Sequence, residues 1–330
     1  MRTTIVYMAN DNRRKGGWGD RLGQMLALYR ISKDHGCDFK INFTQPFKLV
    51  DFLVPNRFDW YIQEHEIDNE PGSIKISNFK GYDGIDIYPE CEKCGNDIDF
   101  EDYIVEKIKS GNYKQILCYT GSLENLINNQ YSLLFHELFK ISPELNKRIE
   151  VHKNVINEEY IAMVFRFQQL LGDFIERVID PVLSPKQQIK LIKQNIQALK
   201  LAYNKNERKK ILVCSDSKVF RDHAKKLKFV YTIGGFRKHP NNPQTSYEEA
   251  MLSFLDFFLI TQAAKVISFT IPPMYSSSFP RLAAYTHDVP YECVIQGVNK
   301  KKRRDWIRFI LKYPYLTKLK EKLRSYNIFP

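Results

Sequence analysis

Arg166 closes the run Tyr160-Ile-Ala-Met-Val-Phe-Arg166, and its guanidinium has an evident chemical use. A planar fork of N–H donors grips phosphate oxygens through paired charged hydrogen bonds. The strand-like residues ahead of it place that charge at the carboxyl end of a buried strand, the edge where open α/β sheets bind ligands. An ordinary surface ion pair is the alternative use of such a residue. Gly172-Asp173 follows closely. Asp173 suits a general base or a partner that orients Arg166, and Gln168 and Gln169 suit hydrogen bonds to a sugar.

Three further segments have the composition of strand-end ligand loops. Gly16-Gly17-Trp18-Gly19-Asp20-Arg21-Leu22 lies between a first strand and a helix. Its glycines let backbone N–H groups approach an anion, with the helix dipole behind them. Asp20 is either the N-cap of that helix or a base at a cleft. The spacing is neither G-x-G-x-x-G nor a P-loop, which speaks against dehydrogenases and P-loop kinases. Ile211-Leu-Val-Cys-Ser-Asp216-Ser217 is a strand running into a helix start. Ser215 or Asp216 can cap that helix, and a carboxylate at this edge can equally accept from a purine or ribose. Finally, Ser276-Ser277-Ser278-Phe279-Pro280-Arg281 follows a strand and a Pro-Pro turn. Hydroxyls and free N–H groups at a helix start cradle phosphate. Arg281 in the first turn opposes the helix dipole, which favours a ligand role for it.

These loops need strands and helices to hold them. Strand patterns occur at residues 3–8, 39–43, 73–76, 115–119, 160–165, 210–214 and 265–269, and helical patterns at 20–35, 124–139, 185–203, 218–227 and 246–263. Such alternation predicts α/β layers built on parallel sheets. The alternation restarts after a polar helix over 143–157, so the expected domains are 1–157 and 158–300, with a cleft between them. A basic segment, 301–330, follows.

Charge divides the chain the same way. Residues 1–150 hold 19 Lys+Arg against 23 Asp+Glu, and residues 151–330 hold 31 against 15. The basic half predicts an anionic partner: a diphosphate, a phospholipid surface or a nucleic acid. Residues 300–330 alone carry 11 basic and 2 acidic side chains, with Trp306, Phe309, Ile310, Tyr313, Leu316, Leu319 and Leu323 at helical spacing. That segment either packs on the body of the protein or rests on an anionic membrane. No RNA- or DNA-binding signature accompanies the charge, so no nucleic-acid partner is expected. The six cysteines are scattered, and Cys91-Glu-Lys-Cys94 lacks the second ligand pair of a zinc site. Neither a signal peptide nor a membrane span is legible, and the expected location is cytoplasmic, with a peripheral membrane attachment through the basic segment left open.

Taken in order, the four loops resemble the superfamily of α1,6-, α1,2- and protein O-fucosyltransferases, which includes the nodulation fucosyltransferases. Gly17-Trp18-Gly19-Asp20-Arg21-Leu22 is similar to the family's G-[WFL]-G-[DN]-[RQ]-L segment, and Tyr160–Asp173 to the strand carrying H-x-R-x-G-D. Val213–Ser217 is similar to its strand-to-[ST]-D segment, and Asp256 with Ser276–Leu282 to its last motif, S-S-x-x-R-L. The resemblance implies a GT-B fold, two Rossmann-like domains facing a cleft, and an inverting, metal-independent transfer of a sugar from GDP-fucose to a cell-envelope or other glycan, or a lipid-linked acceptor.

By that likeness Arg166 holds the β-phosphate, and Ser277, Ser278 and Phe279 close the phosphate pocket. It also puts Asp216 and Asp256 near guanine or ribose, with Gly17, Gly19, Arg21, Ser217, Ser276 and Arg281 on the donor side. The chain departs from the motif in two places. Val164 stands where the family has histidine, and five residues separate Arg166 from Gly172. Asp20 is therefore a second candidate base beside Asp173. Another GDP-linked sugar fits the same residues, as does a module that binds a nucleotide sugar without turning it over.

Overall fold

The computed structural model describes residues 2–13, 16–68, 71–78, 88–93, 99–121, 123, 130–174 and 182–296. The first half runs β1 (Thr4–Ala9), α1 (Trp18–Asp34), β2 (Asp38–Phe43), β3 (Leu53–Pro55), β4 (Ser73–Ser77) and β5 (Glu92–Lys93). It continues through α2 (Phe100–Ser110), β6 (Gln115–Tyr119), α3 (Tyr131–Leu138), β7 (Phe139–Ile141) and α4 (Pro143–Ile156). The second half contains β8 (Tyr160–Phe165), α5 (Pro185–Lys205), β9 (Lys210–Ser215), α6 (Lys218–Ala224) and β10 (Val230–Tyr231). Then come α7 (Tyr247–Ile260), β11 (Lys265–Thr270), α8 (Phe279–Thr286) and β12 (Tyr291–Ile295).

Two five-stranded sheets result, ordered β2-β1-β6-β4-β5 and β10-β9-β8-β11-β12, and their strand pairs are parallel. The expected strands are present as β1, β2, β4, β6, β8, β9 and β11. The helix expected over 124–139 is seen as α3 from Tyr131, and residues 124–129 lie outside the described ones.

Period-two alternation decides what each face of the second sheet meets. On β8, Tyr160, Ala162 and Val164 join the core containing α1, α7 and α8, whereas Ile161, Met163 and Phe165 join the core under α5 and α6. Helix α7 is apolar on nearly all sides, as a helix buried all round must be. Ser246 starts it, with the Ser246 N–H donating to Glu249 at 2.9 Å and Glu249 N–H donating back to Ser246 Oγ at 3.3 Å.

Although α7 is encoded in the second half, it packs into the first. Phe254 stacks on Phe52 at 4.2 Å and tilts against Trp18 at 4.4 Å. Burying one such ring stabilises by roughly 1.5–3 kcal/mol. The Arg148–Glu248 ion pair also crosses between the halves, at 2.6 Å. Exposed pairs of that kind contribute below about 1 kcal/mol, so the aromatic stack dominates the joint.

Candidate functional site

Arg166 leaves the carboxyl end of β8, as its place in the sequence predicts. Its Nη1 lies 3.2 Å from Asp216 Oδ2, and its guanidinium covers the Phe174 ring, 4.6 Å from the centroid. Asp216 in turn accepts from the N–H groups of Phe167 at 2.9 Å and Gln168 at 2.7 Å. One carboxylate therefore shapes the turn after β8 and aims the arginine. Burial pushes the Asp216 carboxyl above the usual carboxylate range, although the Arg166 charge and those two N–H groups pull the other way. Capping of α6 falls instead to Ser217, whose Oγ accepts from Phe220 N–H at 3.1 Å.

The glycine loop opens α1 opposite. Gly17 is the N-cap, and Asp20 sits in the first turn with Oδ2 accepting the Gly17 N–H at 2.8 Å. Gly16 has φ +87°, and a Cβ there would lie 2.7 Å from Asp20 Oδ2. A Cβ on Gly19 would lie 2.9 Å from Leu282 Cδ1, so the glycine lets α8 approach α1 closely. At the start of α8, Ser277 Oγ accepts from Phe279 N–H at 3.2 Å. Ser277, Ser278 and Phe279 bring this helix start to the cleft wall.

The loop between β10 and α7 supplies a third wall that the motifs do not contain. Arg237 makes a two-pronged ion pair with Asp256, at 2.9 and 2.8 Å, and donates to the carbonyls of Ile233, Gly234 and Gly235. Arg221 donates to Ile233 O at 2.7 Å and Gly235 O at 2.6 Å. Burial works against the Arg237 charge, yet Asp256 more than offsets it and holds the guanidinium above its ordinary value.

From the other half, buried Arg21 donates to Gly16 O at 3.2 Å, Gln45 O at 3.0 Å and Pro240 O at 3.1 Å. Arg21 thus ties the glycine loop to residue 240 and does not line the cleft. A buried pair such as Arg237–Asp256 adds little net stability, but removing one partner costs about 3–5 kcal/mol. Its effect is to fix a loop.

These groups meet in one cleft. Gly17, Gly19, Asp20, Arg166, Asp216, Asp256, Ser277, Ser278 and Phe279 all line it, together with Lys238 and His239. The lining encloses about 960 Å³ of empty space, part of it open solvent. Arg21, Asp173, Ser217, Ser276 and Arg281 are not among the residues that line it. Asp173 Oδ2 accepts from Ser217 Oγ at 3.0 Å and Val219 N–H at 2.7 Å, at the start of α6.

The sequence reading missed Arg237, Lys238 and His239. The basic run before Pro240 was their one signal, and the two-residue β10 gave it no frame. Cys91 is buried in an apolar cluster and its thiol is pushed up to about 11 by burial, while Cys94 lies outside the described residues. Asp99 caps α2, accepting from Glu101 N–H at 2.8 Å. Among the described residues no acidic, His or Cys cluster is arranged to hold a metal ion.

No protein-family model matches the chain, and no curated protein matches it by sequence. Solved structures do match. NodZ α-1,6-fucosyltransferase from Bradyrhizobium, soaked with GDP-fucose, aligns with a TM-score of 0.56 at 15% identity, over 87% of this chain and 93% of its own. A variant of Arabidopsis thaliana FUT1 in complex with GDP gives 0.56 at 9% identity, over 91% and 71%. POFUT1 in complex with GDP-fucose gives 0.52 at 12%, over 90% and 98%. The fold is GT-B. In a GT-B arrangement two Rossmann-like halves face one cleft. Here Gly17–Asp20 come from the first half, and Arg166, Asp216 and Ser277–Phe279 from the second. At these identities the likeness speaks for architecture alone.

Proposed function

We propose that the protein is an inverting glycosyltransferase that moves a sugar, fucose from GDP-fucose being the first choice, onto a glycan or lipid-linked acceptor. The observation that carries this reading is Arg166, anchored by Asp216 at the carboxyl edge of the second sheet and sharing a cleft with Ser277 and Ser278 at the start of α8. An anion fits that arrangement: a charged fork on one side, a helix N-terminus on the other. Residues 158–300 would hold the nucleotide, and residues 1–157 would face the acceptor.

In the reaction the acceptor hydroxyl oxygen bonds to the anomeric carbon as the bond from that carbon to the β-phosphate oxygen breaks. The electron pair leaves with the diphosphate, where Arg166 stabilises the growing charge without a metal ion. The acceptor proton passes to a carboxylate, and Asp20, which lines the cleft, is better placed than Asp173. Asp216 and Asp256 both line the cleft, near the base or ribose on this reading, with Arg166 and Arg237 orienting them.

Replacing Arg166 with Ala should lower turnover of GDP-fucose by at least about a hundredfold in protein that still unfolds cooperatively, with some loss of stability because Asp216 loses its counter-charge. Retention of more than about a tenth of the activity would remove the phosphate-holding role. A thermal-shift panel of GDP, UDP, CMP and ADP sugars should show stabilisation by GDP compounds first. Stabilisation by UDP but not GDP would sink the donor assignment.

Val164, on the cleft wall where the resemblance has histidine, favours a second reading: a module that binds the nucleotide sugar without turning it over. Slow release of GDP during prolonged incubation with GDP-fucose separates the two. The basic segment 301–330 lies outside the described residues, and its proposed partner is an anionic membrane surface. Among the described residues no helix is long and apolar enough to cross a membrane.

A further inference from the structure

Helix α5 carries five lysines in its 21 residues and neither aspartate nor glutamate. Leu191, Ile192, Ala198 and Leu199 are its buried side and pack into the core of the second half. With about 3.6 residues per turn, Lys186, Lys190, Lys193 and Lys200 fall on the opposite side, in one row about 21 Å long. All four are exposed. Other helices pair such charges: Arg148 with Glu144 and Lys153 with Glu150 on α4, Lys218 and Lys225 with Asp222 on α6. Among the described residues no carboxylate pairs with the four lysines of α5. Like charges three and four residues apart repel, so the row is unfavourable until an anion covers it. Ile189 and Leu201 flank it, 54% and 51% exposed.

We propose that this face of α5 docks on an anionic phospholipid surface. Lysine stems beside aliphatic side chains suit a headgroup layer: the ammonium groups reach phosphates while Ile189 and Leu201 meet the acyl boundary. A nucleic acid calls instead for arginine forks and stacking rings. Helix α5 has no arginine, and its one aromatic ring, Tyr203, is stacked on Phe229 at 4.1 Å. The helix begins at the cleft end of the sheet, where Leu183 N–H donates to Leu170 O at 3.1 Å and ties its entry to the turn after Arg166. Lying along a bilayer, α5 brings that edge of the cleft to headgroup level, where a lipid-linked acceptor presents its sugar. The docking itself holds whatever the cleft transfers; only its use for such an acceptor rests on the glycosyltransferase reading.

Flotation of the full chain with phosphatidylcholine vesicles containing about a third phosphatidylserine, at about 0.15 M salt, tests the docking. One variant combines Lys186→Gln, Lys190→Gln, Lys193→Gln and Lys200→Gln, which removes the charge and keeps good helix formers. A second changes the same four lysines to Arg and keeps the charge. Residues 301–330 are the same in all three proteins, so the differences report α5 alone. The Gln variant should bind at least about tenfold more weakly, since each lysine near such a surface is worth roughly fivefold, and the Arg variant within about threefold. Acetylation of the wild type is a second readout that needs no variant. Vesicles should shield the row and leave Lys147 reactive, on α4 across the second sheet. A smaller loss in a folded Gln variant overturns the proposal, as does an unshielded row or equal binding to pure phosphatidylcholine. Tighter binding to single-stranded RNA than to the vesicles, lost in the Gln variant, would overturn it in favour of a nucleic acid.

Discussion

Asp216 sits 3.2 Å from the Arg166 guanidinium while also accepting the Phe167 and Gln168 N–H groups, so one buried carboxylate serves a charge and a turn. Asparagine in its place has the same shape but sets an NH₂ against one of those N–H groups, and it leaves Arg166 without its counter-charge. Asp216→Asn should cost about 2–4 kcal/mol in urea unfolding. GDP should bind at least about tenfold more weakly. Wild-type GDP affinity in a folded variant would mean that Arg166 needs no anchor. Phe174, stacked under the guanidinium, restricts its motion without competing for phosphate.

Helix α6 begins on a chain of polar contacts that reaches back toward the cleft. Ser217 caps it, and Asp173 accepts from both Ser217 Oγ and the Val219 N–H. A carboxylate at a helix N-terminus is favoured by the dipole and satisfies orphan donors. Asp173→Ala should therefore lower stability by about 1 kcal/mol, in the range of a lost cap. Turnover of GDP-fucose should stay within about tenfold of wild type, because Asp173 is held by the start of α6 and does not itself line the cleft. A loss beyond about a hundredfold at unchanged melting temperature would instead assign the proton transfer to Asp173.

Across the whole molecule, α3 of the first half meets α8 of the second, and a pair of histidines lies at that contact. The His136 and His287 rings are 4.8 Å apart, edge to face. Burial, followed by repulsion from His136, lowers the His287 pKa to about 4 from 6.5, with Asp288 opposing. The folded protein thus keeps this ring neutral where the unfolded chain protonates it. The stability it contributes is complete above pH 6.5 and is lost as the pH falls toward 4. A tenfold change in proton affinity is worth about 1.4 kcal/mol, which sets a ceiling of about 3 kcal/mol on that loss. Solvent screening at a partly exposed ring brings the loss below that ceiling. Urea midpoints measured between pH 7 and 4 should fall for the wild type and fall less for His287→Gln. Parallel slopes for the two proteins would clear His287 of the effect.

Period and composition in the sequence were enough to locate seven strands, the parallel α/β class and the loops bearing Arg166, Asp20, Asp216 and Ser277, because local patterning decides which face of a strand or helix is buried. They were not enough to choose between a cap and a ligand for Asp20 or Asp216, since both uses ask for the same residue at the same helix start. The packing of α7 into the first half was hidden as well. An all-apolar helix states that it is buried and does not name its neighbours. The loop carrying Arg237 and His239 had no periodicity to read. It takes its shape from Arg221 and Arg237 nearby and from Arg21, which lies far away in the chain and close only in the fold. Local sequence thus dictates which elements form and which of their ends carry charge. Long-range packing selects which of those charges face the cleft, because it orients side chains that local pattern leaves equivalent.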